Sequence, residues 1–293
     1  MVLVTLADLY RLGKGRIPLG KTIKLFKRIL RALQSLHEKG KSLGNMRSDA
    51  VLVSKKGEIQ FLGTNTISNR SYFSPEALLL TEDKNMDAYK TAANDIWAFG
   101  ILFAEAIIGE PVLQAEKDEE RFNFMKENFG ELDRSTFAFV PDSKFKKIPH
   151  SQMSSLKQNS KISGFTLKER LIIAMDRLEQ EEEGIVKSTG QLPFSQSQGS
   201  EYQYISPERK SFSHTDMKQA VIDFLFKRCF RYSSNERARS ASECLQDRVW
   251  IMGQNRGDKE EDRLKEKMKK IKMKKMMIMN CKLEIGFTII VID

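Results

Sequence analysis

Three histidines and three cysteines are the residues from which nucleophilic or metal-assisted chemistry would be built here, and their spacing argues against both. His37, His150 and His214 stand far apart and without ligand spacing. Zinc ligands recur instead at short, fixed offsets. His37 closes an amphipathic stretch and reads as a structural residue. Cys229, Cys244 and Cys281 are too widely spread for a disulfide framework or a zinc site, and they point to a reducing compartment. Cys229 lies in an apolar stretch and is expected to pack as a small hydrophobe. No nucleophile elbow, phosphate-cradling Walker loop or zinc-protease motif is present. The remaining chemistry is electrostatic. From Arg256 to Lys282, 11 Lys/Arg stand against 5 Asp/Glu, a net +6. A basic helix of this kind binds phosphates of nucleic acid or an anionic lipid surface. This tail lacks aromatics for base stacking, and acids interrupt its first half, which favours a solvated, partly disordered extension over a binding element.

The elements that would position any chemistry are helical. The chain has 293 residues, a formal charge of +10, 40% hydrophobic and 30% charged residues, and a mean hydropathy of −0.44. That is enough apolar material for a core and too much for a wholly disordered chain. No apolar run reaches the roughly 18–20 residues that span a bilayer. Met1–Leu6 also lacks the charged start and long apolar run of a secretory signal. The expectation is an intracellular protein, cytoplasmic or nuclear, neither secreted nor transmembrane.

Ile23, Phe26, Leu30, Leu33 and His37, widened by Leu25, Ile29 and Leu36, give a helical stripe over 18–39 that stops at Gly40. The runs 50–53 and 58–62, around Lys55-Lys56-Gly57, predict a β-hairpin. Residues 93–109 are apolar nearly all round, which predicts a buried central helix. Asn94 or Asp95 is expected to cap its start and Gly109 its end. From 114 to 213, charged helical pieces alternate with Ser- and Lys-rich connectors. Thr166 and Glu169 form a capping-box pattern there, before an apolar stripe of Leu167, Leu171, Ala174, Met175 and Leu178 and the acidic run 179–183. The stretch 191–211 reads as an exposed loop. Residues 216–230 return to a core-like helix, a short helix follows over 240–250, and 254–293 is a Met- and Lys-rich tail of low complexity. There is no internal repeat.

In this order the pieces resemble the C-terminal lobe of a eukaryotic protein kinase. The helix ending in Leu36-His-Glu-Lys-Gly40 resembles the helix before the catalytic loop. Ser74-Pro75-Glu76 is similar to the Ala-Pro-Glu that ends the activation segment. Asp95-Ile-Trp97-Ala-Phe-Gly100 resembles the Asp-x-Trp-Ser-x-Gly that opens the buried central helix. Cys229-Phe-Arg-Tyr, followed by Arg237 or Arg239, Ser240-Ala241 and Trp250, resembles the closing segment. The match covers about 1–113 and 216–252. Residues 107–133 add a more distant similarity to the cyclin-dependent, MAP and dual-specificity kinases. The resemblance implies that Glu76 pairs with Arg237 and that Asp95 holds the catalytic-loop backbone.

The chemistry positions depart from the family. Phosphoryl transfer needs a carboxylate to orient the substrate hydroxyl, an Asn and an Asp to hold Mg²⁺, and a Lys to balance phosphate charge. Where the catalytic loop reads His-Arg-Asp-x-Lys-x-x-Asn, this chain has Asn45 for the Asp, Arg47 for the Lys and Ala50 for the Asn. Asp49 lies one position away. The Asp-Phe-Gly motif aligns with Phe61-Leu62-Gly63, which keeps the glycine and loses the metal-binding carboxylate. Ten residues, Thr64–Phe73, then lead to Ser74, about half the usual length. Thr64, Thr66, Ser68 and Ser71 read as ordinary loop polars. The family's Gly-rich phosphate loop and strand lysine have no counterpart; Met1–Leu6 falls where the family has its hinge strand, and Leu6–Leu12 where it has the short helix that follows.

The expected fold is therefore mainly α: a kinase-like C-terminal lobe with a small β-hairpin and no N-terminal lobe. It spans 1–253 with an insert at about 114–213 and a tail at 254–293. The expected function is that of a catalytically inactive, pseudokinase-like interaction or scaffold module. It has no catalytic residue, no metal site and no cofactor. Its expected partner is another protein: a kinase N-lobe in trans or a second copy of the chain. Apolar residues around Val2–Leu6, Val51–Val53 and Phe61–Leu62 are expected to be exposed and to drive that association. Two alternatives stand beside this reading. One is a C-terminal fragment of a longer Ser/Thr kinase, which would use ATP and Mg²⁺. The other is a binder of nucleic acid or anionic membrane through the tail.

Overall fold

A computed structural model describes residues 3–12, 17–62, 70–80, 90–138, 140–146, 148, 165–188 and 213–252. His150, Cys281, Gly63, Thr64, Thr66, Ser68, the loop 191–211 and the tail 254–293 lie outside the described residues. The element order is β1 (Leu3–Thr5), α1 (Leu6–Leu12), α2 (Leu19–His37), β2 (Val51–Ser54), β3 (Ile59–Phe61), α3 (Pro75–Leu80), α4 (Ala92–Ile108), α5 (Asp118–Phe129), α6 (Asp142–Phe145), α7 (Leu167–Ser188), α8 (His214–Phe224) and α9 (Ala241–Cys244). A wider helical turn, Leu225–Cys229, continues α8.

The core is the packing of α2, α7 and the end of α8 around α4. Ile23, Phe26, Ile29, Leu30 and Leu33 on α2 are each at most 1% exposed, so the apolar stripe read from the sequence is the buried face. Helix α4 is buried from Asn94 to Ile107 without a break. Its rings interlock with those of α2 and the C-terminal turn. Phe26 stacks on Phe103 at 4.8 Å, and Trp250 stacks on Phe103 at 5.8 Å. Such ring pairs add about 0.5–1.5 kcal/mol each beyond their buried area. Gly100 is where α4 meets the turn after α8. A Cβ there would lie 2.6 Å from Cys229 Cβ and 2.8 Å from a Phe230 ring carbon. The closing glycine of the Asp-x-Trp-x-x-Gly pattern is thus a requirement of close approach.

Three expectations are corrected. The β element is a three-stranded antiparallel sheet in the order β1-β2-β3, because Leu3–Thr5 pairs with Ser54–Leu52; the predicted hairpin, with Val51 opposite Phe61, is its other half. The cap of α4 is Thr91, whose hydroxyl accepts from Asn94 N–H, and not Asn94 or Asp95. Of the apolar residues expected at the surface, Leu6 on α1 and Val51 and Val53 on β2 are buried, whereas Leu62 is 46% exposed.

Within 114–213, α5 and α7 pack on the lobe and Phe137 is fully buried. The Thr166–Glu169 capping box forms in both directions, with Thr166 N–H donating to Glu169 at 2.7 Å and Glu169 N–H to Thr166 Oγ1 at 3.3 Å. Leu167, Leu171, Met175 and Leu178 are buried, with Ala174 packed beside them. The helix runs on through the acidic stretch to Ser188. Cys229 and Cys244 are buried free thiols, and burial pushes both well above the usual thiol range. No helix of the described residues is long and apolar enough to cross a membrane.

Candidate functional site

The loop from Glu38 to Ala50 joins α2 to β2, and its first half is held from below by α4. Asp95, in the first turn of α4 and fully buried, accepts hydrogen bonds from Leu43 N–H and Gly44 N–H, both at 2.8 Å. Its Oδ2 is also 3.1 Å from His37 Nε2. On the other side of that ring, Nδ1 accepts from Ala241 N–H at 3.2 Å. A nitrogen that accepts carries no proton, so the ring is fixed as the Nε2–H tautomer, donating to Asp95. His37 therefore bridges the end of α2, the start of α4 and the start of α9. The acid that bonds it comes from 58 positions away and is not its sequence neighbour Glu38.

Asn94 does parallel work that the sequence did not disclose. Its Oδ1 accepts from Ser74 N–H at 2.9 Å, and its Nδ2 donates to Gly44 C=O at 3.1 Å. Gly44 has φ +69°, a left-handed conformation that glycine adopts without penalty. It thereby turns its N–H to Asp95 and its C=O to Asn94. Two adjacent side chains on one helical turn thus clamp the loop and the segment before α3.

That segment is fixed at its far end by Glu76 and Arg237. The guanidinium is fully buried and bidentate on the carboxylate, Nη1 to Oε1 at 2.6 Å and Nη2 to Oε2 at 3.1 Å. It also donates to Ala93 C=O at 3.0 Å and twice to Arg231 C=O, at 3.0 and 2.7 Å. Its flat face lies 5.1 Å from the Trp97 ring. Every direction in which this buried charge needs a partner is thus filled, which is the condition for such a pair to be stabilising.

The second half of the loop carries different side chains. Asn45 is buried. Arg47 turns onto its neighbour, Nε to Asp49 Oδ1 at 2.8 Å and Nη2 to Oδ2 at 3.2 Å. Ala50 is buried and passes the chain into β2, and Phe61 half-covers the sheet opposite Val51. Ser48 Oγ meets Tyr72 Oη at 3.3 Å, and Tyr72 Oη donates to Glu105 Oε2 at 3.0 Å. Glu105, on the buried stretch of α4, also accepts from Val112 N–H at 3.2 Å. Burial pushes its carboxyl up to about 7, although both hydrogen bonds pull the other way. Burial, then the Glu105 charge, raises the Tyr72 hydroxyl far above the usual phenol range. Glu105 and Tyr72 had no sequence signal: nothing in an apolar run marks which acid finds a hydroxyl 33 residues away.

No protein-family model matches the chain. A glycogen synthase kinase-3 homologue of Saccharomyces cerevisiae is 28% identical over 152 residues, which is 44% of this chain and 39% of that protein. A HOG1 mitogen-activated protein kinase of Colletotrichum orbiculare is 25% identical over 191 residues, 57% of this chain and 50% of that protein. A MAP kinase of Leishmania major superposes with a TM-score of 0.55 at 14% identity, over 85% of this chain and 55% of its own. The chain has a protein-kinase-like fold. It spans half or less of the length of these two curated relatives.

In a kinase-like fold, the loop after α2 is where a hard cation and a nucleotide would meet. The donor set here does not fit them. Mg²⁺ selects carboxylate and amide oxygens in near-octahedral geometry. Ala50 and Phe61 carry no side-chain oxygen, Asn45 carries a neutral amide, and Asp49, the carboxylate next to Ala50, is engaged by Arg47. Among the described residues, no group of three or more His, Cys, Asp or Glu is placed to hold a metal ion.

Proposed function

We propose that this chain is a kinase-like interaction or scaffold module that does not itself transfer phosphate. The observation that carries the reading is Asn45, a neutral amide at the position that resembles the catalytic Asp, on a loop whose preceding residues are pinned to Asp95 and Asn94. Pinning matters because it prevents the loop from sliding by a few residues to bring Asp49 into the vacant role. Ala50 and Phe61 at the metal-binding positions support the same reading, as does the Arg47–Asp49 pair. The partner is another protein, a kinase N-lobe in trans or a second copy of the chain. Leu62, 46% exposed where β3 ends, supports that side as the contact.

The test is phosphate transfer by the purified full chain from radiolabelled Mg·ATP to itself and to general protein substrates, beside nucleotide binding by thermal shift. Neither is expected. Asn45→Asp alone is expected to restore nothing, because the Ala50 and Phe61 positions still lack oxygen ligands. Transfer by the unmodified chain that disappears in the Asn45→Ala variant overturns the reading. For the partner, light scattering over a wide concentration range is expected to show association, and a monomer throughout removes the self-association arm.

A further inference from the structure

We propose that the outward face of α2, together with the β2–β3 turn, binds the phosphodiester backbone of nucleic acid without sequence preference. From Leu9 to His37 the chain has eight Lys/Arg and no Asp or Glu. On α2, Lys21, Lys24, Lys27, Arg28 and Arg31 recur at offsets of three and four, which places them on one side of the helix. That side is opposite the buried stripe of Ile23, Phe26, Ile29, Leu30 and Leu33. At 1.5 Å per residue the row is about 15 Å long, which is several phosphates of a nucleic acid strand.

A second element widens the row. Arg28 Nη1 donates to Lys56 C=O at 3.2 Å, and the guanidinium lies directly against Gly57. The turn carrying exposed Lys55 and Lys56 is thereby fixed beside the middle of the row. The cations are close enough to disfavour one another: after burial, Arg31 is the cause that lowers the Lys27 ammonium. The acids nearest in sequence stand at the margins and are engaged, Glu38 by Gln34 Nε2 at 2.8 Å and Glu58 by Ser54 Oγ at 3.4 Å.

The composition of the face selects among anionic partners. A protein interface needs a buried apolar centre, and a membrane-binding helix needs an apolar side to insert. The apolar side of α2 is spent in the core, and none of the large apolar residues exposed among the described residues lies on α2. A phosphate backbone is the partner that charge alone can hold. With no aromatic on this face to stack a base, recognition has no means of reading sequence. The proposal is independent of whether the loop after α2 transfers phosphate, and it places polyanion binding on the folded lobe and not in the basic tail.

The test is fluorescence anisotropy of a short labelled duplex with the full chain across salt concentrations. The variants are R31Q/K55Q/K56Q, which touches exposed side chains alone, and a full-length variant with Lys265, Lys267, Lys269 and Lys270 changed to Gln. Binding is expected to fall steeply between about 50 and 200 mM salt and to be equal for scrambled sequences. The first variant is expected to weaken binding by at least about tenfold near 100 mM salt and to reduce the slope of log K on log salt by about 3. The tail variant is expected to keep the folded-lobe contribution. Absence of binding at low salt overturns the proposal. So does full retention in R31Q/K55Q/K56Q with loss in the tail variant, or a marked sequence preference. If phosphatidylserine vesicles bind and the duplex does not, the partner is a membrane and the proposal fails. Unchanged thermal melting of R31Q/K55Q/K56Q shows that any loss is not unfolding.

Discussion

The two ends of the central helix α4 each bury a carboxylate, and the two are held in opposite ways. At the N-terminal end, Asp95 receives two backbone N–H groups and an imidazole N–H, and its neighbour Asn94 bonds the same loop. Ten residues on, Glu105 receives one phenol and one backbone N–H, and burial raises its carboxyl to about 7. The first carboxylate organises other chain segments through those bonds. The second is a group on the border between charged and neutral, tying Tyr72 and Val112 to the helix. Burial is common to both; the donors differ in number and kind.

The largest way to break the ordered end is to remove the cation behind it. Arg237→Ala leaves Glu76 buried without its partner and takes a donor from Ala93 C=O; a loss of about 3–5 kcal/mol is expected by urea denaturation. Glu76→Ala should cost a similar amount, and the double variant much less than the sum, as a coupled pair requires. Asp95→Ala follows, at about 3 kcal/mol, because two buried N–H groups and His37 lose a charged acceptor. Its fingerprint is local: amide exchange should speed up at Leu43, Gly44 and Ala241 and stay slow along the buried face of α2. If the three amides remain protected, the clamp is not Asp95. Between the two ends, Gly100→Ala should cost about 2 kcal/mol by pushing α4 from Cys229 and Phe230, and a Phe230→Leu background, which removes the ring carbons the new methyl meets, should show a smaller cost for the same change.

The smallest loss is expected at the other end. Glu105→Gln holds the side chain neutral, so it should leave stability within about 1 kcal/mol of wild type below pH 4.5, where the wild-type group is neutral too, and should exceed wild type as pH rises toward 7. The contrast appears in the pH dependence. A carboxyl whose folded value, about 7, lies above its ordinary 4.5 contributes stability that is fully present below 4.5 and is lost as pH rises through about 7. Wild type minus Glu105→Gln should therefore fall by about 2–4 kcal/mol over that window. A flat difference would mean that Glu105 is ionised throughout the window.

The elements were legible in the sequence because each rests on local periodicity. The α2 stripe, the continuous apolar run of α4 and the Thr166–Glu169 box each contain their own signal within a few residues. What was not legible was where polar side chains go. Asn94 and Asp95 look like caps in a linear reading, since both are good cap types, yet Thr91 three positions earlier takes that role and frees them to bond a loop 50 residues away. Strand β1 is three residues long and has no alternation to read; its partner is Leu52–Ser54. For the loop itself, residue types at Asn45, Ala50 and Phe61 were readable only against a family pattern. The Arg47–Asp49 pair and the Ser48–Tyr72–Glu105 chain needed coordinates.

The contact of His37 with Ala241 spans 204 positions, and that of Lys27 with Trp250 spans 223. Both fasten the first long helix to the last residues of the lobe. On a ribosome adding about 5–20 residues per second, α2 would wait roughly 10–40 s for those partners to be made. Its apolar stripe has to be shielded meanwhile by α4 or by a chaperone. The cell would therefore meet this lobe first as an unfinished object, and mutations near 241–250 should act on yield before they act on anything else.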